Sequence, residues 1–152
     1  MYSGRGYPLV VFEMNSGNID HVGIATNDLD SNSSLWTLLG FKHTNDEVNS
    51  EQGVKIRFFE SQNGGRDQTR IELLEPLNEE SPIYRFIQKK GEGIQQIAIS
   101  VNDIEKTIEK LKKEGIQMIN EEAVDGSSGS RIAFIHPKSA GGVLIELVEH
   151  TD

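Results

Sequence analysis

The chain has 152 residues, and its 24 acidic against 15 basic side chains leave a formal charge of −9 with no basic block, which makes nucleic acid and anionic membranes poor partners. It contains no cysteine, so disulfides, thiolate metal sites and a cysteine nucleophile are excluded, and a cytoplasmic setting is the expectation. A chain of this length fits one ordinary domain or two small fused modules that bury about two thirds of their unfolded surface.

Residues 1–18 read as an N-terminal extension. Its short apolar run, from Pro8 to Phe12, lacks a charged leader and a small-residue cleavage pattern, so no signal peptide is expected there. No segment approaches membrane-spanning length.

The first predicted strand, His21-Val22-Gly23-Ile24-Ala25, runs into Asn27-Asp28, a helix-capping pair, and the helix that follows stops at Gly40 before Phe41. A second strand is predicted over Gly53-Val54-Lys55-Ile56-Arg57-Phe58. The loop Asn63-Gly64-Gly65 then precedes a third, Ile71-Glu72-Leu73-Leu74-Glu75. Ser81-Pro82 opens a connecting helix with Ile83, Phe86 and Ile87 on one face and Gly91 beyond its end.

Everything then happens again. Gln96-Ile97-Ala98-Ile99-Ser100 runs into Asn102-Asp103 at an offset of 75 from the first strand, and Gly115 before Ile116 stands 75 after Gly40. In the helix between them, Ile104, Ile108 and Leu111 repeat at i, i+4 and i+7, the apolar stripe of a helix lying on a sheet. After the loop Gly126-Ser127-Ser128-Gly129, the segment Gly129-Ser130-Arg131-Ile132-Ala133-Phe134 matches the second strand at offset 76. Ile145-Glu146-Leu147-Val148-Glu149 matches the third at offset 74. Four landmarks in one order imply a duplication. The expected architecture is α+β, two tandem βαβββ modules over residues 19–78 and 94–150, joined by a connecting helix over 79–93.

Alternation splits the first strand into a Val22, Ile24 face and a His21, Gly23, Ala25 face; the later copy opposes Ile97, Ile99 and Val101 to Gln96, Ala98 and Ser100. The apolar face takes the helix. The other carries one polar side chain followed by small residues, which leave room for a ligand to approach. Glu72 and Glu146 interrupt apolar runs, and a buried carboxylate is costly unless paired, hydrogen-bonded or metal-bound. Under a pseudo-twofold, His21 maps onto Gln96 and Glu72 onto Glu146, so four polar groups converge between the sheets. Taken singly, His21 also reads as a strand-end histidine and each glutamate as a solvent-facing strand residue. Lys55, Arg57, Arg66, Arg70, Arg131 and Lys138 are the basic residues available to gather around a polyanionic ligand.

Five segments together resemble the methylmalonyl-CoA epimerases of the vicinal-oxygen-chelate (glyoxalase) superfamily. They are Ile19-Asp20-His21-Val22-Gly23-Ile24-Ala25, Glu51-Gln52-Gly53-Val54, Ile71-Glu72-Leu73-Leu74-Glu75-Pro76-Leu77, Gly91-Glu92-Gly93-Ile94, and His136-Pro137-Lys138-Ser139 with Gly142-Val143-Leu144-Ile145-Glu146-Leu147. The resemblance spans residues 19–150 and implies a half-open, barrel-like cleft, a homodimer, and metal-assisted α-proton transfer on an acyl-CoA thioester. It places the metal ligands at His21, Glu72, Gln96 and Glu146. The cofactor would be a divalent ion such as Co, Mn, Zn, Ni or Mg. Glu146 is the candidate for one catalytic base, and Glu72, on the pseudo-symmetric side, for the second if it leaves the metal, since a strongly coordinated carboxylate is a poor base.

The chain departs from the family where Gly-Glu-Gly-x-His-His has become Gly91-Glu92-Gly93-Ile94-Gln95-Gln96. An amide oxygen replaces an imidazole, which leaves open either a weaker metal site or a lost one. Where some epimerases place a catalytic Glu after Glu51-Gln52-Gly53-Val54, this chain has Ile56. A glyoxalase-like lyase or isomerase, and a non-catalytic small-molecule binding homologue without metal, are the alternatives. Iron-dependent dioxygenation fits poorly, because such sites want two histidines and a carboxylate. His136, beside a proline in a turn, reads as structural.

Overall fold

The computed structural model describes residues 15–64 and 68–151, so the N-terminal extension up to residue 14, with its apolar run, and Gly65 and Arg66 lie outside the described residues. In chain order the elements are β1 (Ile19–Ala25), α1 (Leu29–Leu38), β2 (Phe41–Asn49), β3 (Val54–Ser61), β4 (Arg70–Pro76), α2 (Pro82–Lys90), β5 (Gly93–Ser100), α3 (Ile104–Lys113), β6 (Val124–Asp125), β7 (Arg131–Ile135) and β8 (Ile145–Glu149).

Capping chemistry sets the ends of the helices. Asp28 accepts from the backbone N–H of Asp30 at 3.0 Å and starts α1, and Asp103 accepts from that of Lys106 at 3.1 Å and starts α3. Each of these N-termini also receives a carboxylate from a distant strand. Glu75 accepts from Leu29 N–H at 2.9 Å, and Glu149 accepts from Ile104 N–H at 2.7 Å. The second glutamate of each Ile-Glu-Leu-x-Glu segment therefore satisfies a helix donor and complements the helix dipole. Both helices stop where Gly40 and Gly115 adopt positive φ, +105° and +85°.

The strands form one curled, half-barrel sheet in the order β2-β3-β4-β1-β5-β8-β7-β6, with β1 parallel to β4, β5 parallel to β8, and the two halves joined antiparallel at β1 and β5. This is the fold expected from the duplication. The later copy is abbreviated, because β6 has two residues where β2 has nine.

The outer face is covered by two helices. Leu29, Phe59 and Leu73 pack with Ile24, Trp36 and Phe41 under α1, while Ile104 and Ile108 seat α3 on Val101, Ala133 and Leu147. Each such buried Ile, Leu or Phe contributes about 1.5–3 kcal/mol. On the inner face, α2 presses Ile83 and Ile87 onto Val54, Ile56, Phe58 and Leu74. The other half of that face, Ala98, Ile132 and Val148, carries no helix among the described residues, and this asymmetry leaves a cavity.

Candidate active site

Alternation alone does not explain which side chains reach the inner face, because β1 and β5 are both irregular where they pair. Ile19 faces Ile99 and His21 faces Ala98, so Asp20 is an extra residue on β1; Gly23 faces Gln96 and Ile24 faces Ile94, so Gln95 is an extra residue on β5. Bulges of this kind re-aim side chains beside functional sites. Asp20-His21 and Gln95-Gln96 occupy equivalent places in the two copies, and each bulge turns a neighbouring pair inward.

The four residues singled out by the sequence come together. His21, Glu72, Gln96 and Glu146 are all buried. His21 Nδ1 lies 3.2 Å from Glu72 Oε2, and Nε2 lies 3.3 Å from Glu146 Oε1 and 3.4 Å from Gln96 Nε2. Gln96 also donates from its amide to Glu146. The bland readings of a strand-end histidine and solvent-facing glutamates therefore fail for His21, Glu72 and Glu146.

Beneath this group sits Asp20, a carboxylate with four partners: His21 Nδ1 at 2.7 Å, Arg70 at 2.6 Å, His150 Nε2 at 2.6 Å and Ser100 Oγ at 3.1 Å. Burial alone would raise the Asp20 pKa, but hydrogen bonds from His150 and His21 and the charge of Arg70 outweigh it and hold the carboxyl well below its usual range. Burial would likewise lower His21. The Glu72 charge, the hydrogen bond to Asp20 and the contacts with Glu146 prevail instead and push it up to about 10. Glu72 is raised by burial and by Glu146, against the opposing pull of His21 and Arg70.

A divalent ion is what the resemblance would place here, and the side chains pass a test of fit. Glu72 Oε2 is buried and has no hydrogen-bond partner among the described residues; although His21 Nδ1 is 3.2 Å away, that nitrogen's proton is engaged by Asp20 at 2.7 Å. With Nδ1 held by Asp20, the free ring nitrogen is Nε2, which faces Glu146 and Gln96. A carboxylate that fixes the far nitrogen is the usual support of a metal-ligating imidazole. The donor set is one imidazole, two carboxylates and one amide, which suits a divalent ion once the Gln96 amide turns its oxygen inward. A separate acidic group, Asp103, Glu105 and Glu149, is exposed or half-buried, and Asp103 and Glu149 are engaged with α3 backbone donors.

Above the four residues opens a cavity of about 250 Å3. Val54, Ile56, Leu74, Ile83, Ile132 and Phe134 supply apolar wall, Asn49, Gln52, Gln95, Asn120 and Ser127 supply neutral polar groups, and Glu72 and Glu146 are the only charged side chains on it among the described residues. Gln52 sits beside Gly53, whose positive φ of +66° makes the turn that brings β3 under α2.

The basic residues do not form a phosphate cradle among the described residues. Arg57 is paired with Asp30 and Asp46, Arg70 with Asp20, and Arg131 with Glu105, at three separate places. His136 is structural, its Nδ1 accepting from Lys138 N–H at 3.0 Å. Glu92 of the Gly-Glu-Gly segment ties the β1–α1 turn, accepting from Asn27 N–H at 2.7 Å and Thr26 Oγ1 at 3.1 Å. Sequence reasoning passed over Asp20, although it stood inside a quoted motif, and Asn49 and Asn120, for which periodicity carries no signal.

Residues 20–134 match the Glyoxalase/Bleomycin resistance protein/Dioxygenase superfamily. The chain is 38% identical over 135 residues to the mitochondrial methylmalonyl-CoA epimerase of Homo sapiens, covering 88% of this chain and 74% of that one. The crystal structure of methylmalonyl-CoA epimerase from Mycobacterium tuberculosis superposes with a TM-score of 0.83 at 40% identity, over 89% of each chain. A Streptomyces coelicolor methylmalonyl-CoA epimerase in complex with 2-nitronate-propionyl-CoA superposes with a TM-score of 0.81 at 36% identity, over 90% of this chain and 96% of that one.

Proposed function

The chain belongs to the glyoxalase superfamily and, within it, to the methylmalonyl-CoA epimerase family, and we propose that this epimerase-like enzyme inverts the α-carbon of an acyl-CoA thioester by metal-assisted proton transfer. The observation that carries the proposal is the convergence of His21, Glu72, Gln96 and Glu146 beneath a cavity. The two catalytic modules in this reading are residues 19–78 and 94–150, with 79–93 between them.

Charge supports a cation at the site. An acyl group bearing a free carboxylate, as methylmalonyl does, enters a cavity whose charged side chains are both glutamates, so it is repelled unless positive charge sits on them. His21, Glu72, Gln96 and Glu146 would hold a divalent ion, which supplies Lewis-acid stabilisation of negative charge developing on the thioester oxygen.

The chain's own groups then account for the rest. Glu146 removes the α-proton, and the C–H electron pair passes into the carbonyl to give an enolate. Glu72, at the other ring nitrogen of His21, returns a proton to the opposite face and inverts the centre. It would do so after leaving the metal, because a coordinated carboxylate is ionised and a poor proton carrier. Asp20 keeps the His21 ring in place throughout. Leu35, Leu38 and Leu39, exposed together on and after α1, support a homodimer as part of the same proposal.

The test combines metal analysis of protein purified without chelators with α-proton exchange of methylmalonyl-CoA in heavy water. The expected result is bound divalent metal and exchange that disappears in Glu146→Gln. Protein that lacks both metal and exchange would end the proposal.

A further inference from the structure

The two β-bulges are equivalent in the duplication but have different fates. On β1 the extra residue, Asp20, is saturated by His21, Arg70, His150 and Ser100. On β5 the extra residue, Gln95, is half-buried and lines the cavity, and its Oε1 is shielded from solvent with no hydrogen-bond partner among the described residues. An unpaired buried acceptor costs about 1–3 kcal/mol, so an amide oxygen in this state, on a residue that lines a ligand cavity, gains a partner when the amide turns toward a donor on the ligand.

We propose that Gln95 is a substrate-binding residue whose Oε1 accepts a hydrogen bond from an N–H of the bound thioester. This inference rests on the acyl-CoA reading of the cavity. Within such a ligand, the reacting acyl group offers oxygens but no N–H. The nearest donor is the amide of the thiol arm, two methylenes from the sulfur. With the acyl carbon over Glu72 and Glu146, that amide would reach toward Gln95, which lines the same cavity as Pro82 and Ile83. Ile83 and the Pro82 ring would offer apolar surface to the methylenes, and Gln95 a polar group to the amide.

The asymmetry also gives a reason for the chain to keep a glutamine there. An apolar residue at the bulge would leave the ligand N–H without an acceptor, and a carboxylate would add a third negative charge to a cavity that already holds Glu72 and Glu146. A neutral amide avoids both penalties.

Two probes separate this role from general support of the fold. One is a non-reactive thioether analogue of the acyl group on N-acetylcysteamine, which has the amide N–H. The other has the same length with a methylene in place of the N–H. By calorimetry, wild-type protein should bind the first about 3- to 10-fold more tightly than the second, the range of one net hydrogen bond. Gln95→Met should lose that preference while binding the second probe as wild type does. Gln95→Glu, which keeps an acceptor oxygen, should retain the preference at lower overall affinity.

Equal loss of both probes in Gln95→Met, no preference in the wild type, or no binding of either probe would overturn the proposal. The catalytic reading fails separately, through absence of α-proton exchange on methylmalonyl-CoA. A protein without exchange that still discriminates the probes through Gln95 would keep this inference and lose the epimerase.

Discussion

Replacing Gly23 by alanine tests whether the site is held together by close packing between β1 and β5. Gly23 does not have a positive φ, so alanine fits its backbone and would by itself stabilise the protein by about 0.4–1 kcal/mol through the unfolded chain. Its new Cβ, however, would lie 2.7 Å from Gln96 Cγ, 3.0 Å from Leu74 Cδ1 and 3.2 Å from Gln96 Cδ. Leu74 Cδ1 is the far end of a flexible side chain and moves cheaply, but Gln96 Cγ is one bond from the β-carbon and cannot move unless the amide leaves Glu146. Overpacking of this kind costs about 1–3 kcal/mol, so Gly23→Ala should be net destabilising. On a Gln96→Ala background, which lacks the obstructing Cγ, the same change should become neutral or stabilising. The assay is urea unfolding of the four proteins of the cycle, metal-free, with thermal midpoints as a second measure at about 2–4 °C per kcal/mol. A coupling of about 1 kcal/mol or more is expected between positions 23 and 96. Equal effects of Gly23→Ala in both backgrounds would refute the packing argument.

Gln96→His should tighten divalent-metal binding, measured by competition with a chromophoric chelator, and raise α-proton exchange, because His21, Glu72 and Glu146 are already in place; unchanged metal affinity would show that the fourth position is not a ligand. Asp20→Asn removes the negative partner of Arg70 and His150 and should cost about 3–5 kcal/mol in urea unfolding. It should also weaken metal binding by roughly 10- to 100-fold through loss of His21 orientation, and wild-type affinity would contradict that role. The metal-free protein should also be less stable in alkali. His21, with its folded value raised from 6.5 to about 10, contributes stability that is full below 6.5 and lost as pH rises toward 10. Glu72, also raised, slopes the same way. Asp20, depressed, contributes stability that is lost as pH falls below the ordinary aspartate range. Urea midpoints measured across the pH range should fall on both sides, and a flat alkaline arm would exclude a charged His21.

The sequence by itself determined the architecture, because a duplicated chain repeats its local signals. The Asp28 and Asp103 caps, the Gly40 and Gly115 stops, and the Ile104, Ile108, Leu111 stripe are short-range features governed by backbone donors and a 3.6-residue period. Inward placement of His21, Glu72, Gln96 and Glu146 was legible for the same reason, since a polar residue inside an apolar strand must face something that satisfies it. Edge strand β2 gave no such signal, because a strand running Lys42-His43-Thr44-Asn45-Asp46-Glu47 at the sheet margin is exposed on most of its length and shows no alternation. The fate of the basic residues was equally hidden: whether Arg57, Arg70 and Arg131 gather or disperse depends on carboxylates 11 to 50 positions away. Only the tertiary structure decided the two bulges. An extra residue in a strand is a property of the pairing between β1 and β5, not of either strand, and it is this pairing that turns Asp20 under His21 and leaves the Gln95 oxygen unpaired at the cavity wall.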